Sequence, residues 1–124
     1  MEIESFFFDT YALYEIAAGN RAYEVYASGV AAVTTRLNLM ELYYGLLAAH
    51  GKKAAERYYD AFIGYAVDIG DDTIKRAMEF KLANKSRNLS YVDCIGYTLA
   101  RQRNIRFLTG DREFKDMPGV EHVK

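Results

Sequence analysis

Two acidic side chains follow short apolar runs that are typical of buried strands. Asp9 directly follows the run at residues 3–8. Asp111 comes just after a second run, at residues 105–108. If these strands are neighbours in a parallel sheet, both carboxylates project into one crevice at the carboxyl ends of the strands. Aspartate is also common in turns and helix caps, so a purely structural role stays open for each.

Two further carboxylates fall on predicted helices. Glu41 lies in the predicted helix 36–49, where apolar or small side chains occupy nearly the whole circumference. We expect this helix to be buried on most sides, so an ionised Glu41 would need an ion-pair partner, a metal or an exposed seam. Asp93 is the third residue after Ser90, a spacing that resembles a helix capping box. Capping and function are compatible there, because a helix start holds the carboxylate rigidly.

Together these residues predict a metal site. Four carboxylates that converge without a counter-ion would repel one another and raise one another's pKa. A hard divalent cation removes this repulsion, and oxygen ligands suit Mg²⁺ or Mn²⁺. Such sites support hydrolysis of phosphate esters, because the metal activates a water and stabilises charge on phosphoryl oxygens. Thr109 could hydrogen bond a ligating carboxylate or the attacking water, although it could equally be a polar strand end.

The elements that would position these groups alternate between strands and helices. Short strands separated by helices favour an α/β fold with a parallel sheet and right-handed crossovers. The predicted strands are 3–8, 30–34, 67–69, 105–108 and 121–123. The predicted helices are 11–18, 20–27, 36–49, 52–66, 73–85 and 90–103. In the helix 73–85, the apolar face is predicted to comprise Ile74, Ala77, Met78 and Leu82.

Length and composition predict one domain over residues 1–124 with a real core, since 51% of the 124 residues are apolar. A single cysteine excludes an intrachain disulfide and a multi-cysteine zinc site. The longest uncharged stretch, 25–35, is 11 residues long, whereas a membrane-spanning helix needs about 20. The acidic start lacks the basic region of a signal peptide, so we expect no membrane association and a location in a reducing cytoplasm.

The segments around the four carboxylates resemble the acidic blocks of the PIN-domain ribonucleases. These segments are residues 7–10, 38–45, 90–95 and 107–114, and the tail 117–120 also resembles the ending of that family. They occur in the family's order and spacing over essentially the whole chain, and are most similar to VapC-type toxins of toxin–antitoxin pairs. By this match the metal quartet would be Asp9, Glu41, Asp93 and Asp111, with Thr109 as the hydroxyl residue that often precedes the last aspartate.

This resemblance implies a fold, an activity and partners. The implied fold is a three-layer α/β/α domain with a five-stranded parallel sheet in the order 3-2-1-4-5. The implied activity is Mg²⁺- or Mn²⁺-dependent endoribonucleolytic cleavage of single-stranded or structured RNA, by a homodimer with an antitoxin partner. Many family members carry a further acidic or amide residue after the last aspartate. Glu113 or Asp116 could fill that role, so one or two metal ions remain possible.

The distribution of charge is compatible with an RNA substrate. The net charge of −1 combines 5 basic and 11 acidic residues in the segment 1–74 with 10 basic and 4 acidic residues in the segment 75–115. If metal sequesters four carboxylates, the basic excess lies beside the predicted site and could attract an RNA backbone. Candidate substrate contacts are Thr10, Arg106 and Arg112, although the arginines could instead be solvated.

Paired tyrosines mark a predicted helical hairpin that turns at Gly51. Tyr43 and Tyr44 lie before the turn, and Tyr58 and Tyr59 lie after it. They could stack RNA bases, receive an antitoxin helix in a groove, or simply pack the two helices together. The resemblance favours antitoxin contact in this region.

Two other functions remain as alternatives. A non-catalytic PIN-like scaffold would keep the tyrosine groove and need not bind metal. A phosphoacceptor receiver domain shares the length, the parallel sheet and an acidic pocket at the strand ends. Its acceptor would have to be Asp68, and the sequence lacks a lysine at the required strand end.

Overall fold

The computed structural model describes residues 2–124 and contains a four-stranded parallel sheet. The strands are β1 (Ser5–Phe8), β2 (Ala31–Val33), β3 (Arg106–Thr109) and β4 (Val120–His122), in the spatial order β2-β1-β3-β4. In the register of the central pair, Phe8 lies opposite Leu108. From β1 the chain first adds β2 on one side and later adds β3 and β4 on the other side. In an open α/β sheet the ligand-binding crevice lies at such a reversal, here at the carboxyl ends of β1 and β3. The predicted parallel α/β fold is therefore confirmed.

The prediction of a fifth strand at residues 67–69 is wrong. Only one bridge, between Thr34 and Ala66, extends the sheet beyond β2. The Thr34 amide donates to the Tyr65 carbonyl over 3.0 Å, and the Val67 amide donates to the Thr34 carbonyl over 2.9 Å. The bridge lies where the third strand of the expected 3-2-1-4-5 order belongs. It does not continue because Asp68 and Gly70 follow, and both residue types are poor strand formers.

Helices cover both faces of the sheet. The α-helices are α1 (Thr10–Ala18), α2 (Glu24–Ala27), α3 (Arg36–His50), α4 (Lys52–Phe62), α5 (Asp71–Ala83) and α6 (Tyr91–Gln102). Three 3₁₀ turns accompany them, at Arg21–Tyr23, Ile63–Tyr65 and Arg112–Phe114. One core cluster packs α5 and α6 against Phe7 and Phe107, and the other packs α1, α3 and α4 against Phe6 and Leu108. The side chains of successive strand residues alternate between the two faces, which produces the three-layer arrangement.

The expected burial of α3 on most sides is wrong. Its buried residues are Asn38, Leu39, Leu42 and Leu46, which form one face. Met40, Tyr44 and Leu47 are exposed by 55%, 74% and 38%. The helix lies in an outer layer, so its far side faces solvent.

The predicted apolar face of α5 is only partly buried. Ala77 is fully buried and Met78 packs against the core, whereas Ile74 and Leu82 are 42% and 71% exposed. The buried face instead includes Thr73, whose hydroxyl donates to the Gln102 side chain over 2.5 Å. Within residues 2–124, no helix is both long and apolar enough to cross a membrane.

Candidate functional site

Asp9 and Asp111 come together at the carboxyl edge of the two central strands. Asp9 caps the N-terminus of α1: its Oδ1 accepts from the Ala12 amide over 2.8 Å. Its own amide donates to the carbonyl of Leu108 on β3 over 3.3 Å. Asp111 lies two residues beyond Thr109, the last residue of β3, and its amide donates to the Thr109 hydroxyl over 3.0 Å. The prediction that β1 and β3 are neighbours is confirmed, and the neighbouring strands place both carboxylates at one edge of the sheet.

Gly110 is required for this close approach. A Cβ atom at this position would lie 2.1 Å from the Tyr11 ring and 2.6 Å from the Val123 carbonyl oxygen. No side chain fits between Thr109 and Asp111, because real Cβ atoms do not approach other atoms so closely. The glycine thus lets β3 end directly against α1.

The Asp9 carboxyl lies in a strongly desolvating environment. The side chain is 3% exposed. This burial raises the pKa of Asp9 to about 7, and the negative charges of Asp93 and Asp111 raise it further, while hydrogen bonds from Thr109 and the Ala12 amide oppose the rise. Asp9 therefore needs a proton or a cation near neutral pH.

Glu41 projects from α3 into the same region and is positioned by a polar network. Its Oε1 accepts from the Thr10 hydroxyl over 2.6 Å. The Thr10 hydroxyl oxygen in turn accepts from the Asn38 side-chain amide over 3.2 Å. The side-chain oxygen of Asn38, Oδ1, accepts from the Thr35 hydroxyl over 2.6 Å. Burial and the charge of Asp93 raise the pKa of Glu41, while the bond from Thr10 lowers it.

The Thr35–Asn38–Thr10 network was not predicted from the sequence. Asn38 is 2% exposed and Thr35 is fully buried. One pattern pointed to it: Asn38 and Glu41 are the strongly polar side chains of an otherwise apolar helix. Thr10, which we had considered as a substrate contact, is a hydrogen-bond partner that orients Glu41.

Asp93 has the capping role that its spacing predicts. The Ser90 hydroxyl accepts from the Asp93 amide over 3.0 Å, and the Asp93 Oδ2 accepts from the Ser90 amide over 2.9 Å. Burial raises the pKa of Asp93, as does the charge of Asp111, whereas the bonds to Ser90 and the charge of Lys81 lower it. The capping box holds the carboxylate near Asp9, Glu41 and Asp111, whose charges interact with it.

None of the four carboxylates forms an ion pair in the part of the chain that the structure describes. The two ion pairs found there are Arg76–Asp72 and Arg106–Glu121. Carboxylate oxygens without a basic partner suit Mg²⁺ or Mn²⁺ chemically. The side chains do not stand as a closed ligand set, however: among residues 2–124 no group of three His, Cys, Asp or Glu residues could hold an ion as placed.

The two candidate arginines differ in position. Arg106 is the first residue of β3 and therefore lies at the amino end of the strand, away from Asp111. It pairs with Glu121 over 3.1 Å and donates to the Val120 carbonyl over 3.2 Å. The structure thus does not bring this candidate substrate contact to the site, because the length of β3 separates Arg106 from the carboxyl edge. Arg112 is exposed and directly follows Asp111.

Glu113 and Asp116 were considered as additional acidic groups. Glu113 holds the segment before α6: its Oε1 accepts from the Asn88 amide over 3.4 Å, and its carbonyl accepts from Arg87 over 2.8 Å. Asp116 is exposed. The structure thus shows a structural role for Glu113 between the chain segments that carry Asp93 and Asp111.

The tyrosines do not form one cluster. Tyr43 and Tyr59 meet edge to face inside the hairpin of α3 and α4, with ring centroids 5.8 Å apart. Tyr44 is 74% exposed. Tyr58 lines a groove of about 570 Å³ between α1, α3 and α4. The groove is lined by Tyr14, Ala17, Ala18, Leu46, His50, Lys53, Ala54, Arg57 and Tyr58.

Comparison with known families settles the classification. The sequence profile of the PIN domain matches residues 6–120. The chain belongs to the PIN domain family. Comparison with curated protein sequences finds no match.

Solved structures of VapC toxins share this PIN fold. The sarcin–ricin-loop-cleaving toxin VapC20 of Mycobacterium tuberculosis superposes with a TM-score of 0.80 and 21% identity, covering 96% of this chain and 99% of that one. A toxin–antitoxin complex from Klebsiella pneumoniae gives 0.74 and 22%, with 93% and 94% covered. VapBC2 of Rickettsia felis, bound to a promoter DNA fragment, gives 0.71 and 19%, with 97% and 99% covered. The chain thus shares the fold of these proteins over nearly its full length.

Proposed function

We propose that this PIN domain is a metal-dependent endoribonuclease and the toxin of a toxin–antitoxin pair. The observation that carries the proposal is the set of four carboxylates without ion-pair partners at the carboxyl edge of β1 and β3. Membership of the PIN family supports it, and so does the likeness to a toxin that cleaves the sarcin–ricin loop. The substrate is single-stranded or structured RNA.

Asp9, Glu41, Asp93 and Asp111 would hold Mg²⁺ or Mn²⁺. Such an ion supplies Lewis acidity, which lowers the pKa of a water and neutralises charge on a phosphodiester. The carboxylates need a cation because each buried charge is costly without a partner, and burial already raises the pKa of Asp9, Glu41 and Asp93.

The remaining residues hold the carboxylates in place. The Ala12 amide donates to Asp9, the Thr10 hydroxyl donates to Glu41, and the Asp111 amide donates to the Thr109 hydroxyl. Ser90 fixes Asp93 at the start of α6. These bonds restrict the rotamers of the carboxylates, and an ion would draw the side chains together into one ligand set.

An RNA cleavage assay with and without EDTA tests the activity. We expect wild-type protein to cleave RNA in Mg²⁺ or Mn²⁺ and to stop in EDTA, and we expect Asp9→Asn to lower the rate by about 100-fold or more. Asp68→Asn is the matched control, because Asp68 is acidic but exposed. Cleavage in EDTA, or full activity of Asp9→Asn, would falsify the proposal.

Two alternatives are separated by further observations. A non-catalytic PIN scaffold would show no heat of Mn²⁺ binding in calorimetry, whereas the proposed site should bind Mn²⁺ and lose that heat in Asp9→Asn. The receiver domain is excluded by membership of the PIN family.

We propose that the antitoxin binds the groove between α1, α3 and α4. The groove walls combine apolar Ala17, Leu46 and Ala54 with the basic Lys53 and Arg57. Such a lining suits an amphipathic segment that carries acidic side chains. The likeness to toxin–antitoxin complexes supports a protein partner.

We also propose a homodimer. Met40, Tyr44 and Leu47 share one exposed face of α3 at helical spacing, and such exposed apolar patches favour self-association. Light scattering should give twice the chain mass of 14.1 kDa. A monomeric mass would contradict this part of the proposal.

A further inference from the structure

A small open cavity lies between α5, the turn that follows it and the start of α6. It has a volume of about 300 Å³ and is lined by Met78, Lys81, Leu82, Lys85 and Tyr91. Its aromatic member, Tyr91, is the first residue of α6, two positions before Asp93. The cavity therefore adjoins the element that presents one of the four carboxylates.

The cavity wall is apolar and unusually exposed. Tyr91 is 65% exposed and Leu82 is 71% exposed. Removing exposed apolar surface from water is favourable, so a planar ligand that covered both side chains would be stabilised by that contact.

Lys81 fixes one side of this surface. Its Nζ donates to the Leu89 carbonyl over 2.6 Å and lies 4.8 Å from the centroid of the Tyr91 ring. These two contacts hold the ammonium against the ring and orient the ring at the start of α6. Lys81 is therefore a positioning residue as well as a positive charge beside the cavity.

Lys85 supplies a second charge. It lies in the turn that follows α5, four residues after Lys81, is exposed, and forms no ion pair in the part of the chain that the structure describes. An aromatic ring flanked by two ammonium groups is complementary to a base and its phosphate.

We propose that this cavity, defined by Tyr91, Lys81 and Lys85, binds one unpaired nucleotide of the RNA strand next to the scissile phosphate. The base stacks on Tyr91 and covers Leu82, and the Lys85 ammonium contacts the phosphate. The inference rests on the proposed RNA substrate. It adds a nucleotide subsite on α5 and α6 that the four carboxylates alone do not supply.

Binding of a fluorescein-labelled A/U-rich single-stranded RNA 12-mer tests the subsite, measured by anisotropy in EDTA so that the strand stays intact. We expect Tyr91→Ala to weaken binding roughly 5- to 100-fold without changing the salt dependence, because stacking is not electrostatic. Tyr91→Phe should bind as wild type does. Lys85→Gln should lower the slope of log K against log salt by about 0.7, the value for one lost contact to a single strand.

Matched controls lie elsewhere on the surface. Lys75→Gln removes an exposed charge from α5, outside the cavity lining, and Tyr65→Ala removes a 49% exposed tyrosine outside the cavity. Neither should change affinity. Cross-linking of the same RNA carrying 5-iodouridine should attach to Tyr91 and not to Tyr65.

The outcomes separate this inference from the proposed function. If wild-type protein cleaves RNA but Tyr91→Ala and Lys85→Gln bind the 12-mer and show the same KM as wild type, the subsite is overturned and the nuclease stands. If wild-type protein binds the 12-mer through Tyr91 but never cleaves RNA, the nuclease fails and the subsite stands. A lack of any RNA binding overturns both.

Discussion

At the scale of single residues, the sequence predicted the candidate carboxylates but not the hydrogen bonds that hold them. Asp9 and Asp111 were recognisable because each follows an apolar run. Thr35 and Asn38 were not, since their role depends on a contact across two helices with Thr10. Arg106 was misplaced because a four-residue strand separates it from the carboxyl edge.

The buried Asp9 carboxylate should make the metal-free protein less stable as the pH rises. Its folded pKa of about 7 lies above the ordinary value of 3.8, so the stabilising contribution is complete below about pH 4 and is lost as the pH rises through 7. Asp9→Asn in EDTA should therefore be more stable than wild type by roughly 2–4 kcal/mol at pH 8 and should approach it at pH 4. Urea unfolding at the two pH values measures this.

The control for that prediction is Asp68→Asn, which should follow the wild-type stability at both pH values. If Asp9→Asn did not raise the free energy of unfolding at pH 8, the carboxyl would be ionised without penalty in the folded protein. Asp9 would then not need a cation.

Thr10 should act as a positioning residue for Glu41. Thr10→Val keeps the shape but removes the hydroxyl, so Mn²⁺ affinity and kcat should each fall about 10- to 100-fold. Because the Thr10 hydrogen bond lowers the pKa of Glu41, the acidic limb of the activity profile should also move to higher pH. Thr10→Ser should restore both. Calorimetry and a pH–rate profile provide the measurements, and unchanged values in Thr10→Val would show that Glu41 is held by other contacts.

At the scale of elements, periodicity identified the helices and strands but not which faces are buried. The prediction that α3 is buried on most sides was wrong, because the helix has more apolar side chains than its one packed face can cover. The exposed Leu82 on α5 has the same origin, and it became part of the proposed nucleotide subsite. The predicted strand at residues 67–69 is absent from the sheet of residues 2–124, because the segment before Gly70 forms only one bridge, at Ala66.

The packing of α6 on the sheet should depend on Gly96. A Cβ atom there would lie 2.8 Å from the Phe7 ring and 3.3 Å from the Phe107 ring. Gly96→Ala should therefore destabilise the protein by about 1–3 kcal/mol, although alanine favours a helix by up to about 1 kcal/mol over glycine. Urea unfolding measures the change.

Gly45→Ala is the matched control for Gly96→Ala. Gly45 also lies inside a helix, but its Cβ would meet only the Tyr14 ring at 3.9 Å, an ordinary contact. It should be neutral or stabilising. Equal effects of the two substitutions would show that α6 shifts without cost.

At the scale of the whole molecule, the open groove and the carboxylate edge are separate surfaces. The groove lies between α1, α3 and α4, whereas the carboxylates lie at the ends of β1 and β3. The proposed antitoxin segment in the groove would thus contact Lys53 and Arg57 and not the carboxylates.

A groove substitution should release the antitoxin without affecting RNA cleavage. Ala54 lies in the wall of the groove, so Ala54→Arg should weaken binding of the antitoxin by about 100-fold or more, because the long side chain fills the space that the bound segment would occupy. Ala83→Arg, at the exposed end of α5, is the control. Co-purification and calorimetry measure the effect, and tight binding by Ala54→Arg would place the antitoxin elsewhere.

The sequence by itself determined the α/β class and the order of the elements, and it predicted the four carboxylates as site residues, because strand ends, capping boxes and apolar runs are local patterns. Only the tertiary structure decided which residues meet. Packing between segments distant in the chain makes β1 and β3 neighbours and forms the Thr10–Glu41 bond. The same packing places Arg106 at the far end of its strand and leaves Tyr91 exposed. Such contacts depend on the whole arrangement of layers, which no local spacing encodes.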